Sequence, residues 1–125
     1  MPAATPSFRI KLEADRNLVR MWYLGHVTAA QMTACVKAVE AALPALRPGF
    51  TVVTDLSGLE SMDLDCVPFL TKIMDRCRAG GIGAVVRIVP DRSKDIGFNI
   101  LSIIHYRRGV KVITCATLAE AERAL

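Results

Sequence analysis

Short β-forming runs alternate with amphipathic helical segments along this chain, and this alternation restricts the chain to the α/β class. Runs at residues 50–56 and 83–89 are rich in β-branched residues, which is typical of strands buried inside a sheet. Strands joined through a helix pair in parallel by right-handed crossovers. We therefore predict a mixed β-sheet that is largely parallel.

The N-terminal segment predicts a β-hairpin. Phe8, Ile10 and Leu12 alternate with basic residues, the period-two pattern of a strand with one buried face. Turn-forming residues follow at 15–17, and the apolar and aromatic run at 18–24 predicts the partner strand. This hairpin is the expected antiparallel part of the sheet.

Four helices complete the predicted pattern. Thr28 and Gln31 have capping-box spacing at the start of the first helix. Asp63 or Asp65 is available as the N-cap of the second helix, which ends near Gly80. The other two helices are predicted at residues 95–106 and from residue 117 to the end. The resulting order is β-β-α-β-α-β-α-β-α, in a single domain of residues 1–125.

Hydropathy and cysteine placement predict a cytoplasmic protein without a cofactor. No apolar run reaches the roughly 18 residues that a transmembrane helix needs, so no membrane association is expected. The first ten residues lack the pattern of an export signal. The four cysteines lie far apart in apolar segments, as reduced core thiols do, and their spacing does not indicate a metal site.

Basic residues are concentrated in one part of the chain. Between Lys72 and Lys111 there are nine basic and three acidic residues, although the whole chain has a formal charge of only +4. A solvated basic face is the simplest interpretation, and an anion-binding surface is the alternative. Nucleic acid is not an expected partner, because aromatic residues that could stack on bases do not interleave with these charges.

Two segments resemble the STAS family, the domain of bacterial anti-anti-sigma factors and of sulfate-transporter tails. DLSGLESMD at residues 55–63 is similar to the family's turn after a central strand, and Asp63 matches the aspartate that opens the next helix. Residues 112–125 resemble the final strand and helix. The resemblance implies a STAS-like fold and a non-catalytic regulatory module. It also implies a protein partner, such as a regulatory kinase, an anti-sigma-like protein or another signalling protein.

The resemblance breaks at Leu64, which stands where family members carry a phosphorylated serine. Leu64 has no hydroxyl to accept phosphate, and Asp65 supplies one fixed negative charge beside it. Ser57 and Ser61 remain as candidates for a displaced phosphorylation site. As an alternative, the chain resembles a divergent branch that is similar to both STAS domains and lipid-carrying SEC14-type domains and that tends to lack the serine.

We expect the partner to dock on the loop from residue 58 to residue 65 and the start of the second helix. The candidate partner-binding residues are Gly58, Glu60, Ser61, Asp63, Leu64 and Asp65. Acidic residues at a helix N-terminus also stabilise the helix through its dipole, which is the structural alternative for this cluster. An enzyme built on Cys66 with a histidine base is disfavoured, because neighbouring carboxylates oppose thiolate formation.

Two further hypotheses concern the predicted helix at residues 95–106. Its apolar surface is wider than one buried face requires, so with the basic segment it could bind a small anionic ligand or a lipid. Phe98, Leu101 and Tyr106 are also candidate anchors of a homodimer.

Overall fold

The computed structural model of the protein describes residues 7–91 and 109–125. Its strands are β1 Phe8–Glu13, β2 Leu18–Tyr23, β3 Gly25–Val27, β4 Thr51–Asp55, β5 Leu59–Met62, β6 Ala84–Ile88 and β7 Lys111–Cys115. Its α-helices are α1 Ala29–Ala42, α2 Val67–Ala79 and α3 Leu118–Ala124. Five strands form the main sheet in the order β1-β2-β4-β6-β7, and β3 pairs with β5 in a second, two-stranded sheet.

The pairing confirms a mixed sheet that is parallel after an N-terminal hairpin. β1 runs antiparallel to β2, whereas β2, β4, β6 and β7 are all parallel to their neighbours. Between β1 and β2, Asn17 adopts a φ of 52°, in the left-handed region that asparagine tolerates better than most residues. The predicted buried face of β1 is incomplete, since Leu12 is 39% exposed. β1 is an edge strand, so it is covered less fully than the central strands.

Helices α1 and α2 cover one face of the main sheet and form the larger core with it. The buried residues of the two helices are Met32, Cys35, Val36 and Val39 in α1, and Leu70, Ile73, Met74 and Cys77 in α2. The three- and four-residue spacing of these eight residues, together with Leu43 and Val67, predicted the two buried faces from the sequence. The prediction is confirmed for the eight, whereas Leu43 is only partly buried and Val67 is 39% exposed. At the start of α1, the Thr28 backbone N–H donates to Gln31 Oε1 at 2.9 Å, as the capping-box spacing predicts.

The opposite face of the sheet carries a smaller core under α3. Ala121 of α3 is fully buried and packs in a cluster with Leu18, Val53, Val86, Ile88 and Cys115. The spacing of Thr117 and Glu120 predicts a cap at the start of this helix. The Glu120 N–H donates to Thr117 Oγ1 at 3.2 Å, which confirms that cap. Arg20 connects the helix to the hairpin by ion pairs with Glu13 and, at 2.5 Å, with Glu122.

The simplest interpretation predicted a solvated basic face, but one basic residue of this segment is buried. Lys72 is exposed on α2, but Arg87 is only 2% exposed within β6. Arg87 lies in a central strand, in register with Thr54 of β4 and Thr114 of β7, and this position takes it away from solvent. The predicted helix at residues 95–106 lies outside the described residues. The same holds for the candidate dimer anchors, which are Phe98, Leu101 and Tyr106.

All four cysteines are buried free thiols, as their apolar surroundings predicted. Burial raises the pKa of Cys35 to about 11 and also raises that of Cys115. Within residues 7–91 and 109–125, histidine, cysteine and acidic side chains form no cluster of three or more that could hold a metal ion. None of the helices described for this chain is long and apolar enough to cross a membrane.

Candidate functional site

The segment predicted as a docking loop contains a strand. β5 occupies four of its residues and pairs in parallel with β3, with His26 in register with Ser61. Leu59 is buried in this strand, whereas Glu60 and Ser61 are exposed. The interpretation as a loop was therefore wrong for residues 59–62. A four-residue strand with two polar positions has too little hydrophobic pattern to be recognised alone.

Gly58 is a position of close packing at the start of this segment. A Cβ atom at Gly58 would lie 2.8 Å from Cδ2 of Leu24, which is too close for an ordinary contact. The Gly25 N–H donates to the Gly58 carbonyl oxygen at 2.8 Å and connects the two segments just before β3 and β5 pair. The absence of a side chain at Gly58 leaves room for the end of the flexible Leu24 side chain.

Neither Asp63 nor Asp65 caps α2, contrary to the sequence prediction. The N-cap residue of α2 is Cys66, and a 3-10 turn at Leu64–Cys66 precedes the helix. Asp63 stands at the start of this turn, where its backbone carbonyl accepts from the Cys66 N–H at 3.0 Å and its side chain makes no capping bond. The Asp63 carboxylate makes no capping hydrogen bond, so it is available for another contact.

That contact is with His26, which joins Asp63 to Ser61. The Nε2 atom of His26 lies 3.0 Å from Oδ1 of Asp63, and its Nδ1 lies 2.5 Å from Oγ of Ser61. The side chains of His26 and Asp63 are 50% and 43% exposed. A carboxylate only accepts hydrogen bonds, so the ring hydrogen of neutral His26 lies on Nε2. Nδ1 is then an acceptor that faces the Ser61 hydroxyl.

Leu64 presents an apolar side chain to solvent beside these polar groups. It is 87% exposed, and Val67 at the start of α2 is 39% exposed. Leu64 lies in the chain between two acidic residues, and Glu60 is exposed on β5. We call the set of Glu60, Ser61, Asp63, Leu64 and Asp65 the β5 surface. It combines one protruding apolar side chain with three carboxylates.

Cys66 is part of the core under this surface. It is fully buried, and its Sγ lies 3.6 Å from the carbonyl oxygen of Val27. Burial raises the pKa of the Cys66 thiol, and the negative charges of Asp63 and Asp65 raise it further. The thiol is therefore held in its neutral form, which agrees with its assignment to the core.

His26 is the member of this site whose position the sequence did not reveal. In the sequence, His26 is a candidate only as a base for a cysteine, and it lies 35 positions before its partner Ser61. The sequence places Ser61 and Asp63 two residues apart, but it contains no local pattern that brings a histidine to them. Only the parallel pairing of β3 with β5 does so.

Comparison with known proteins identifies the fold. No protein-family model matches the chain, and no curated protein matches it. Among solved structures, a DUF3478-family protein with a SpoIIAA-like fold from Shewanella loihica PV-4 superposes with a TM-score of 0.75 at 13% identity, covering 100% of this chain and 98% of that one.

Two further solved structures superpose on this chain. SpoIIAA of Bacillus in its phosphorylated form superposes with a TM-score of 0.63 at 16% identity, covering 94% of this chain and 99% of that one. An anti-sigma factor antagonist from Mycobacterium paratuberculosis superposes with a TM-score of 0.60 at 18% identity, covering 98% and 97%. The protein therefore has the SpoIIAA-like fold, which confirms the STAS-like fold predicted from the sequence.

Proposed function

We propose that residues 1–125 form a single, non-catalytic regulatory domain that binds a partner protein through the β5 surface. The observation that carries this proposal is the 87% exposure of Leu64 at the entrance to α2. The fold is shared with an anti-sigma factor antagonist, a class of protein that acts on another protein. Fold alone does not define function, so the proposal depends on the chemistry of the surface.

Leu64 is suited to be the central anchor of such an interface. Burying a leucine side chain completely stabilises a protein or complex by roughly 1.5–3 kcal/mol. Leu64 is 87% exposed in the isolated chain, so nearly all of this free energy remains available for binding a partner. Interfaces concentrate their binding energy in a few side chains that enter pockets on the partner. Leu64 is the member of the β5 surface that fits this role.

The carboxylates around Leu64 select the charge of the partner. Glu60 and Asp65 are exposed, and Asp63 is half-exposed beside them. Charged residues at the rim of an interface mainly affect association rate and choice of partner. The partner surface that fits is an apolar pocket bordered by lysine or arginine side chains.

We further propose that this interaction is independent of phosphorylation at position 64, where a leucine stands. Ser57 is held in a local turn, since its N–H and hydroxyl donate to Asp55 Oδ1 at 2.9 and 2.5 Å. Asp65 provides a constant negative charge next to the anchor. The proposed partner is a bacterial signalling protein, such as a regulatory kinase or an anti-sigma-like protein, in the cytoplasm. Four free buried thiols fit that reducing compartment.

Affinity capture from the source cell with matched variants tests this proposal. The baits are the wild type, Leu64→Ala, the double variant Asp63→Ala/Asp65→Ala, and Asp15→Ala as a control acid on the distant hairpin turn. We expect a partner that the wild type and Asp15→Ala capture and that the other two variants lose. The captured protein is then purified, and its affinity for each variant is measured by calorimetry.

The calorimetric result decides the proposal. A central anchor contributes about 2 kcal/mol or more, so Leu64→Ala should weaken binding by about 30-fold. All variants must keep the far-ultraviolet circular dichroism of the wild type. A partner bound equally well by Leu64→Ala and the wild type would show that the β5 surface is not the docking site.

A further inference from the structure

We propose that Ser61 is a nucleophilic site that accepts an acyl group from an activated acyl donor, with His26 as the base that takes its proton. The geometry points to a covalent modification site within the β5 surface. This chemistry belongs to the isolated chain and does not depend on the proposed docking partner.

The first support is the arrangement of three groups around one imidazole ring. Ser61 Oγ lies 2.5 Å from Nδ1 of His26, which is hydrogen-bonding distance for proton transfer. On the other side of the ring, Asp63 Oδ1 lies 3.0 Å from Nε2. A hydroxyl, a base and a group that orients the base are the parts that activate a serine nucleophile.

The second support is the tautomer that Asp63 imposes. Because the carboxylate accepts the Nε2 hydrogen, Nδ1 of the neutral ring has a free lone pair directed at the serine hydroxyl. When the ring takes the serine proton, the imidazolium that forms is stabilised by the negative carboxylate. Asp63 is therefore a positioning residue that acts on Ser61 through His26.

The third support is access combined with a defined backbone. Ser61 is exposed, so a donor molecule can approach its oxygen from solvent. His26 and Ser61 lie opposite each other in the parallel β3–β5 pair, which sets the distance between their side chains. Cys66 is fully buried and is therefore shielded from the same donor.

The charges near Ser61 favour an acyl group over a phosphoryl group. A phosphoserine adds about −1.5 to −2 charge at neutral pH. Asp63 contacts the same imidazole ring as Ser61, so a phosphate on Ser61 would be placed close to a like charge. An acyl ester is uncharged and meets no such repulsion. We therefore assign the site to acyl transfer.

The transfer step balances without an oxidant or a reductant. Ser61 Oγ attacks the carbonyl carbon of the donor and forms a new carbon–oxygen bond, while its proton passes to His26 Nδ1. The bond from that carbon to the leaving oxygen breaks, and the leaving group departs with the electron pair. His26 then releases the proton to the leaving group or to water, which restores the base.

The experiment treats the full chain with p-nitrophenyl acetate. It follows acetylation of Ser61 by peptide mass spectrometry, and Ser57 is an internal control. The Ser57 hydroxyl is bonded to the carboxylate of Asp55 rather than to an imidazole, so it should remain unmodified. We expect Ser61→Ala to abolish the adduct and His26→Ala to slow acetylation of Ser61 about 100-fold, the low end of general-base catalysis. Free imidazole also transfers acetyl groups from this ester, so the diagnostic result is that added imidazole raises the rate of Ser61 acetylation by a larger factor in His26→Ala than in the wild type.

Two further measurements complete the test. Acetyl phosphate can transfer either of its groups, and we expect acetyl and not phosphoryl on Ser61. The nitrogen-15 chemical shifts of His26 should show hydrogen on Nε2 in the wild type and a loss of that preference in Asp63→Asn. Failure to acetylate Ser61, an unchanged rate in a folded His26→Ala variant, or a phosphoryl adduct would each overturn the proposal.

Discussion

Replacing Gly83 with alanine tests a close approach between two backbone segments next to the main sheet. Gly83 directly precedes β6, and a Cβ atom there would lie 2.7 Å from the carbonyl oxygen of Gly49 and 3.0 Å from its Cα. Both segments are held in place by hydrogen bonds. The Gly83 N–H donates to the Phe50 carbonyl oxygen at 2.8 Å, and the Gly49 N–H donates to that of Gly81 at 2.7 Å. Neither backbone can move away without weakening these bonds.

The expected destabilisation follows from those contacts. Forcing an extra methyl group into a packed site costs about 1–3 kcal/mol. Losing one backbone hydrogen bond adds about 1 kcal/mol. Alanine also lowers the conformational entropy of the unfolded chain, which offsets the destabilisation by about 0.4–1 kcal/mol. We therefore expect Gly83→Ala to lower the free energy of unfolding by about 1–3.6 kcal/mol.

Gly80→Ala is the matched control for this prediction. Gly80 has a φ of −78°, which alanine adopts without strain, and its Cβ would meet its nearest neighbours at 3.5 Å, an ordinary contact. We expect this variant to be at least as stable as the wild type. Urea unfolding followed by circular dichroism measures both variants. If Gly83→Ala is as stable as Gly80→Ala, the close approach of the two backbones is refuted.

Three other predictions follow from burial and charge. Leu64 is 87% exposed, so Leu64→Ala should change the free energy of unfolding by no more than about 0.5 kcal/mol. Met32 is fully buried, so Met32→Ala should lower it by about 2–5 kcal/mol. Equal losses in urea unfolding would contradict this. The hydrogen bond from Arg20 lowers the pKa of Glu13 below its ordinary 4.5. The stability it contributes is present above the unfolded-state pKa and is lost as pH falls through the folded-state pKa. The wild type and Glu13→Gln should therefore differ in stability at pH 7 and converge as pH falls through the folded-state pKa of Glu13; a constant difference would exclude this linkage. The four buried thiols should react with a thiol-specific disulfide reagent at pH 8 only after unfolding, since burial raises the pKa of Cys35 to about 11; rapid labelling of the native protein would show that the core opens.

The sequence predicts a contact when its residues are close together in the chain, and it misses a contact when its residues are far apart. Thr28 and Gln31 are three residues apart, so the start of α1 could be predicted from neighbouring side chains. The contact of His26 with Ser61 spans 35 positions and exists only because β3 pairs with β5. From the sequence alone, Asp63 is a candidate N-cap of α2. In the folded chain its carboxylate contacts His26 instead.

The sequence alone determined the class of fold, the hairpin, the parallel central strands and the buried faces of α1 and α2. The hairpin strands and the helix faces depend on the periodicity of apolar residues over one element, and the parallel pairing depends on the alternation of strands with helices along the chain. The tertiary structure decided that part of the docking segment is a strand, that Arg87 is buried and that His26 contacts Ser61 and Asp63. These features arise where segments remote in sequence meet, and their energies depend on contacts that no single segment contains.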